Sequence, residues 1–508
     1  MKKKMLFLWL VLCLNFTGIA QGIQDALRYS HENFNGTARY TALGGAFGAL
    51  GGDLSALHSN PAASSVFAVS QVGITANHMN KNLSSSFLGN ETTTDNPVFD
   101  IGQLGGVFVF NDTSGMEGWT KISVAFNYQK NAYYNDDFSA FGFNPNGIEQ
   151  YFLHYADGLN LEYLQTIDNE TINELYQYLG EEPGLGYGAQ QALLGYQSFV
   201  LQHIEDTPTN NQYFSNTVAN AEGYEQDVYK YREGNQKKYT FNFSAAYNNR
   251  LHLGISLNSH RIEYSERMDF YEVNYTASST IQAFRFQNEI YSQGEGISFQ
   301  LGMLYKLLPN VRFGLAYDSP TWFRFNEINK QFVVVDLDSD TTNDVLVIDP
   351  QVDLILPEYW VHTPAQLKAS FAYIAKDKGF ISAEIGQKSF SQLAFGPRDD
   401  DYFTTLNGRL RETLQDVTLV RLGGEYRIEK AFLRAGYINE SSSVIQGDNA
   451  RTVRSYGLGY DFGNSLLDFS LQFLSFNQSQ PVFQNGLTDP IELSHKQMNI
   501  ALTYSLKL

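Results

Sequence analysis

Residues Ile297–Leu307 read ISFQLGMLYKL. Successive side chains of an extended chain point to opposite faces. Ile297, Phe299, Leu301, Met303, Tyr305 and Leu307 therefore share one face, opposite Ser298, Gln300 and Gly302. The same period of two recurs along the chain. Leu251, Leu253, Ile255 and Leu257 oppose His252, Gly254, Ser256 and Asn258, and Val311, Phe313, Leu315 and Tyr317 oppose Arg312 and Gly314. The chain closes with Met498, Ile500, Leu502, Tyr504, Leu506 and Leu508 opposite Asn499, Thr503, Ser505 and Lys507.

Fourteen such segments are readable, near 70–80, 100–111, 119–134, 237–248, 250–265, 295–307, 310–325, 363–376, 378–391, 414–427, 430–441, 452–462, 466–477 and 497–508. Their connections alternate. Those at 112–118, 248–249, 308–310, 376–378, 428–430 and 461–465 are short, and the others run from about ten to about a hundred residues. An even strand number with tight turns on one side and long loops on the other is the pattern of an outer-membrane barrel. A soluble sandwich also alternates, but its loops need not be sorted by side. The expected fold is all-β: a transmembrane antiparallel barrel of about 14 strands.

Composition agrees. The chain has 508 residues, 43% hydrophobic and 14% aromatic, yet mean hydropathy is only −0.29. Beyond residue 20 no apolar run approaches the ~18 residues of a spanning helix. Thinly spread apolar residues with much Tyr, Phe and Gly suit a wall in which every second residue meets lipid. A net charge of −19 makes nucleic acid a poor partner. Residues 1–20 have the form of an export signal: Lys2 to Lys4, an apolar core from Met5 to Leu14, and Gly18-Ile19-Ala20 before the cut. Cys13, the one cysteine, lies in that core behind Leu12, where lipidation wants a small residue. Disulfides and thiolate metal sites are then excluded from the exported chain.

Between signal and first strand lies Gly36–Ala63, GTARYTALGGAFGALGGDLSALHSNPAA. No Lys-Ser/Thr follows its glycines, so it is not a phosphate loop. Small side chains suit a segment folded inside a crowded lumen, and residues 21–66 are expected to form a plug, with the barrel over 67–508. Asn60, before Pro61, is biased away from helix and should mark the turn of the plug toward the wall. Within the barrel, the insertion 135–236 carries sixteen acidic residues against Lys230 and Arg232. Leu161–Leu179 and Ala189–Ile204 have helical spacing there, with Leu164, Ile167, Leu175 and Leu179 toward one face. By loop sorting this acidic cap is extracellular and both termini are periplasmic.

These residues resemble the long-chain fatty acid transporter family of outer-membrane proteins, the FadL/TodX type. The carriers are Gly44-Gly45-Ala46-Phe47-Gly48-Ala49, Asp53-Leu54-Ser55-Ala56 and Asn60-Pro61-Ala62-Ala63, then Tyr317-Asp318-Ser319-Pro320, Leu422–Tyr426, Leu433–Tyr437 and Tyr456–Tyr460. The resemblance implies fourteen strands, a hatch that includes Gly44, Gly45, Phe47, Gly48, Asp53, Asn60, Pro61 and Ala62, and passage of hydrophobic compounds. Ala63 replaces the family's usual glycine, and His58-Ser59 its common aromatic pair. The family's kinked third strand, which opens a lateral gate, has its nearest counterpart at Gln129-Lys130-Asn131-Ala132.

If Leu422, Tyr426, Leu433 and Tyr437 face lipid, Arg421, Glu425 and Arg434 face the lumen, and Glu384, Lys306 and Arg312 join them by the same alternation. A basic residue on the lipid face costs roughly 2–4 kcal/mol at the midplane. Arg454 shares a face with Tyr456 and is expected to snorkel at the outer interface. The lumen charges are expected to pin the plug or, alternatively, to meet a ligand carboxylate, a geometry that suits arginine. Nine dispersed histidines show no metal spacing, although His154 and His203 could meet on folding, and no cofactor or catalytic motif is evident. The leading function is a channel for passive uptake of long-chain fatty acids or similar apolar compounds. Its rival is a non-transporting barrel subunit or docking platform of an outer-membrane assembly, with protein partners.

Overall fold

The computed structural model describes residues 22–112, 117–182, 184–337 and 344–508. The expected export signal, 1–20, lies outside the described residues. Fourteen strands close into one barrel: β1 (Gln71–Phe87), β2 (Asn90–Asn111), β3 (Trp119–Tyr133), β4 (Tyr224–Tyr247), β5 (Leu251–Val273), β6 (Ile281–Leu308), β7 (Val311–Asp318), β8 (Gln366–Ile374), β9 (Gly379–Lys388), β10 (Val417–Ile428), β11 (Ala431–Glu440), β12 (Arg451–Asp461), β13 (Ser465–Pro481) and β14 (Pro490–Lys507). Each pairs antiparallel with the next, and β14 returns to β1 from Gln71↔Lys507 to Ser86↔Glu492. Closure satisfies the backbone donors and acceptors that lipid cannot.

Alternation sets the two surfaces. Leu253, Leu301, Leu315, Leu422, Leu433 and Leu458 are exposed on the outer face, while His252, Ser256, Gln300, Glu384 and Arg434 are buried toward the lumen. Arg454 is exposed beside Tyr456, as its alternation requires. The turn at Asn248-Asn249 has both residues at positive φ, +49° and +54°, the form that matches strand twist in a two-residue hairpin.

Several expected boundaries need correction. Membrane crossing needs about 9–11 strand residues. β6 has 28 and β4 begins at Tyr224, so the upper barrel projects past the lipid and takes 224–236 out of the insertion. The segment 310–325 is broken. β7 ends at Asp318, Pro320 offers no N–H, and a new strand, Trp322–Leu337, continues up the outer part of β6. In the insertion, helices run over Glu149–Ala156, Ile172–Glu181 and Gly186–Gln197, and Leu201–His203 is a strand. Leu164, Leu175 and Leu179 are buried, but Ile167 is 73% exposed. The helix begins only at Ile172, after Asn169 (φ +67°), so Ile167 stands outside its apolar face.

Leu508 N donates to Ser70 O (2.9 Å) at the short-turn end. Gly22 instead lies against Gln484, in the long connection between β13 and β14. The cause is helix α1 (Ile23–Ser30), anchored high in the lumen: Tyr29 stacks on Phe325 at 4.3 Å and the Arg28 guanidinium sits 4.1 Å over Tyr264.

Candidate functional site: a plugged lumen with a seam in its wall

From α1 the chain descends through the helix Ala38–Ala42, two glycine turns, the helix Ala56–Ser59 and the 3-10 helix Pro61–Val66. Gly44-Gly45 and Gly51-Gly52 all lie between φ +60° and +68°, where side-chain-bearing residues are strained. Tyr40, Leu43, Phe47, Leu50, Leu54 and Leu57 form a small core against Val107, Ala125 and Ala372 of the wall. Thr37 Oγ1 and Ser55 N both donate to the Asp53 carboxylate, at 2.8 Å each, tying the two ends of the glycine turns together. Asn60 is extended (φ −155°, ψ 118°); its Nδ2 donates to Gly48 O (2.8 Å) and to Met303 O of β6 (2.9 Å), while Ala62 N donates to its Oδ1. Pro61 O accepts from Asn242 Nδ2 at 2.9 Å. Asn60-Pro61 is thus where the plug meets the wall.

The lumen charges converge on the plug in two groups. Arg421 pairs with Glu384 (2.8 Å), whose other oxygen accepts from Gly48 N (3.1 Å). Arg434 bridges Glu425 (2.7 Å) and Asp468 (2.5 Å), and Glu425 also meets Arg39 of the plug (3.3 Å). Arg312 donates to Leu50 O at 2.9 Å. Lys306 faces the lumen at the same end, without an ion pair among the described residues.

Sequence reading passed over the strand glycines that receive the plug. A Cβ on Gly302 would sit 2.0 Å from Asn60 Oδ1, and one on Gly314 2.1 Å from Gly48 O. A Cβ on Gly254, Gly423, Gly436 or Gly457 would also crowd a plug atom, at 2.2 to 2.6 Å. The signal was available, because an inward glycine in a strand marks close backbone approach.

Above the plug, a polar chamber of about 100 Å³ is lined by His58, Lys238, His260, Asp318 and Lys368 among others. Asn33 borders both this chamber and a larger cavity of about 740 Å³ beside α1. Ile23, Leu27, Ala132, Tyr133, Tyr134 and Phe476 line part of the larger space. It abuts a discontinuity in the wall. β2 and β3 are hydrogen-bonded only from Gln103↔Gln129 to Asn111↔Lys121. Above that level β2 pairs with β1 alone and β3 with β4 alone, with a register shift between Lys130 and Ala132 that leaves Asn131 unpaired. Side chains span the seam: Lys130 pairs with Asp100, Lys81 donates to Tyr133 O (2.6 Å) and Asp136 (2.8 Å), and Asn96 donates to Asp137 O (3.0 Å).

His154 packs edge-on to Tyr155, and His203 bonds Tyr196. Among the described residues no group of three His, Cys, Asp or Glu side chains is placed to hold a metal.

No protein-family model matches the chain, and no curated protein matches it in sequence. Solved structures do match. The Pseudomonas aeruginosa FadL homologue aligns over 94% of this chain and 99% of its own, with TM-score 0.54 and 11% identity. The P. putida toluene transporter TodX aligns over 94% and 99%, with TM-score 0.50 and 14% identity. The chain has the fold of these FadL-type barrels, the type its plug and strand motifs resemble.

Proposed function

We propose that the protein is an outer-membrane channel for passive uptake of hydrophobic small molecules. The observation that carries this reading is the cavity of about 740 Å³ abutting the β2–β3 seam. Its volume lies within the ~300–1,000 Å³ of small-molecule sites. An apolar molecule collected at the long-loop end enters beside α1 and leaves through the seam into the membrane. Lateral exit is favoured because the plug is held by Glu384, Glu425 and Met303 O, contacts that passage straight through would break. Glu384, Arg421, Glu425 and Arg434 act here as plug anchors, and Gly44, Gly45, Phe47, Gly48, Asp53, Asn60, Pro61 and Ala62 as the anchored segment. The neighbours' names, a FadL homologue and a toluene transporter, are consistent with fatty acids or smaller apolar compounds as cargo. The same anchoring is what favours the second reading, a sealed, non-transporting platform for protein partners.

The test uses Gram-negative cells that lack other such channels and the apolar dye N-phenylnaphthylamine, which intact outer membranes exclude. Cells making the barrel should take up dye faster than cells without it. With Asp100→Cys and Lys130→Cys joined by a short bismaleimide, uptake should return to background, while capping each cysteine singly should not do this. Uptake indifferent to the barrel overturns the channel and leaves the platform.

A further inference from the structure

At mid-lumen the arginines and lysines that touch the plug sit beside carboxylates. At the short-turn end they do not. Lys121 on β3, His252 on β5, Lys306 on β6 and Arg312 on β7 all point inward at one level of one arc of the wall. The ladders show it: Lys121 is opposite Ala246, Ala246 opposite His252, His252 opposite Leu304, and Lys306 directly opposite Arg312. Like charges directly opposed across strands are destabilising, so the Lys306–Arg312 rung is a cost that packing alone does not explain. Among the described residues none of Lys121, Lys306 and Arg312 forms an ion pair; the charged groups around Lys306 are Arg312 and Lys121, and those around His252 are all three.

What the cluster does hold is backbone oxygen of the plug. Lys121 Nζ donates to Phe67 O (2.6 Å) and Arg312 Nη1 to Leu50 O (2.9 Å), while His252 Nδ1 meets Ser65 Oγ (2.8 Å). Donor capacity is left over. Among the described residues His252, 1% exposed, has no partner at Nε2, the buried Nε of Arg312 has none, and Lys306 bonds only through its backbone N, to Arg250 O. A carboxylate brings a full negative charge, and can meet arginine in two parallel bonds, so it holds such cations more strongly than a neutral carbonyl does.

We infer that Lys121, His252, Lys306 and Arg312 form an anion site at the short-turn mouth, which takes a carboxylate in competition with the plug carbonyls of Leu50 and Phe67. This deepens the uptake reading and rests on it: occupancy would loosen the latch between plug and wall. The carboxylate is the head of an amphipath already in the membrane after lateral exit, or a soluble anion; either arrives from the short-turn side.

Equilibrium dialysis of the full barrel in nanodiscs tests this with labelled octanoate, octanol and acetate. Octanoate should bind more tightly than octanol, and Lys306→Gln should lower octanoate affinity about tenfold while leaving octanol unchanged. Lys306→Arg should retain it. Lys306→Gln removes a repulsive rung and no hydrogen bond, so it should fold, as heat-modifiable gel migration will show. Hydrogen exchange over residues 50–67 should rise with octanoate in the native protein and not in the variant. If acetate competes at similar concentration the source is a soluble anion; if only octanoate binds, it is an amphipath. Equal binding of octanoate and octanol, or native octanoate affinity in Lys306→Gln, overturns the anion site and leaves dye uptake through the seam untouched.

Discussion

Arg434→Met removes the cation on which the plug's largest charge group turns. The Arg434 side chain is 1% exposed and its guanidinium lies 5.1 Å over Phe432, so methionine, of similar length and flexible, keeps most of the packing. Two carboxylates lose it. Glu425 retains Arg39 at 3.3 Å, whereas Asp468, 6% exposed, has no second cation within bonding distance among the described residues. Removing one member of a buried pair costs about 3–5 kcal/mol, mostly because the other charge is stranded. With one of the two acids still paired, the low end applies, about 3 kcal/mol, or roughly a hundredfold in the folding equilibrium. Urea unfolding of the barrel in lipid vesicles, followed by heat-modifiable migration, reads the change. Asp468→Asn added to Arg434→Met should recover at least about 1 kcal/mol, since neighbours in one network couple by 0.5–3 kcal/mol. A stability of Arg434→Met within about 0.5 kcal/mol of the parent, the range of a surface change, would refute the reasoning.

Three further outcomes follow from the structure. Gly302→Val places a side chain where even Cβ would be 2.0 Å from Asn60 Oδ1, so overpacking by about 1–3 kcal/mol should unseat the plug and raise conductance in planar bilayers, with the barrel intact. Burial in the cap holds the Glu149 carboxyl above its ordinary pKa. Its contribution is therefore fully present below the unfolded carboxylate pKa and is lost as pH rises through the folded one, so cap proteolysis should quicken with rising pH, and Glu149→Gln should flatten that profile. Thr171→Ala removes the capping box with Glu174 and should destabilise the 172–181 helix by about 1 kcal/mol, seen as earlier cleavage there than elsewhere in the cap.

The lipid-level barrel was legible because lipid enforces alternation: from Ile297 to Leu307 every outward residue is apolar. Above the membrane that constraint lapses. Tyr224–Gln236 carries Glu225, Asp227 and Glu233 among its side chains and shows no apolar face, although it is continuous strand. Trp322–Leu337 hides because both faces are mixed: Phe323 and Phe325 are buried inward with Glu327 and Asn329, and Trp322 stands outward beside Arg324 and Lys330. The plug was readable from its glycine pairs and Asn60-Pro61. Which acid meets which arginine was not, because alternation assigns Arg434 a face but not the neighbours Glu425 and Asp468. The seam was legible only as a candidate at Gln129–Ala132, since the loss of pairing depends on the register of β2 against β1 and of β3 against β4.

The central claim, an apolar ligand in the cavity beside the seam, is tested most directly by crystallising the barrel with 1-bromodecane and locating bromine by anomalous scattering. A bromine peak is expected among Leu27, Tyr133, Tyr134 and Phe476, beside α1 and the β2–β3 seam. Bromine found only on the outer, lipid-facing surface, with that cavity empty, would contradict it.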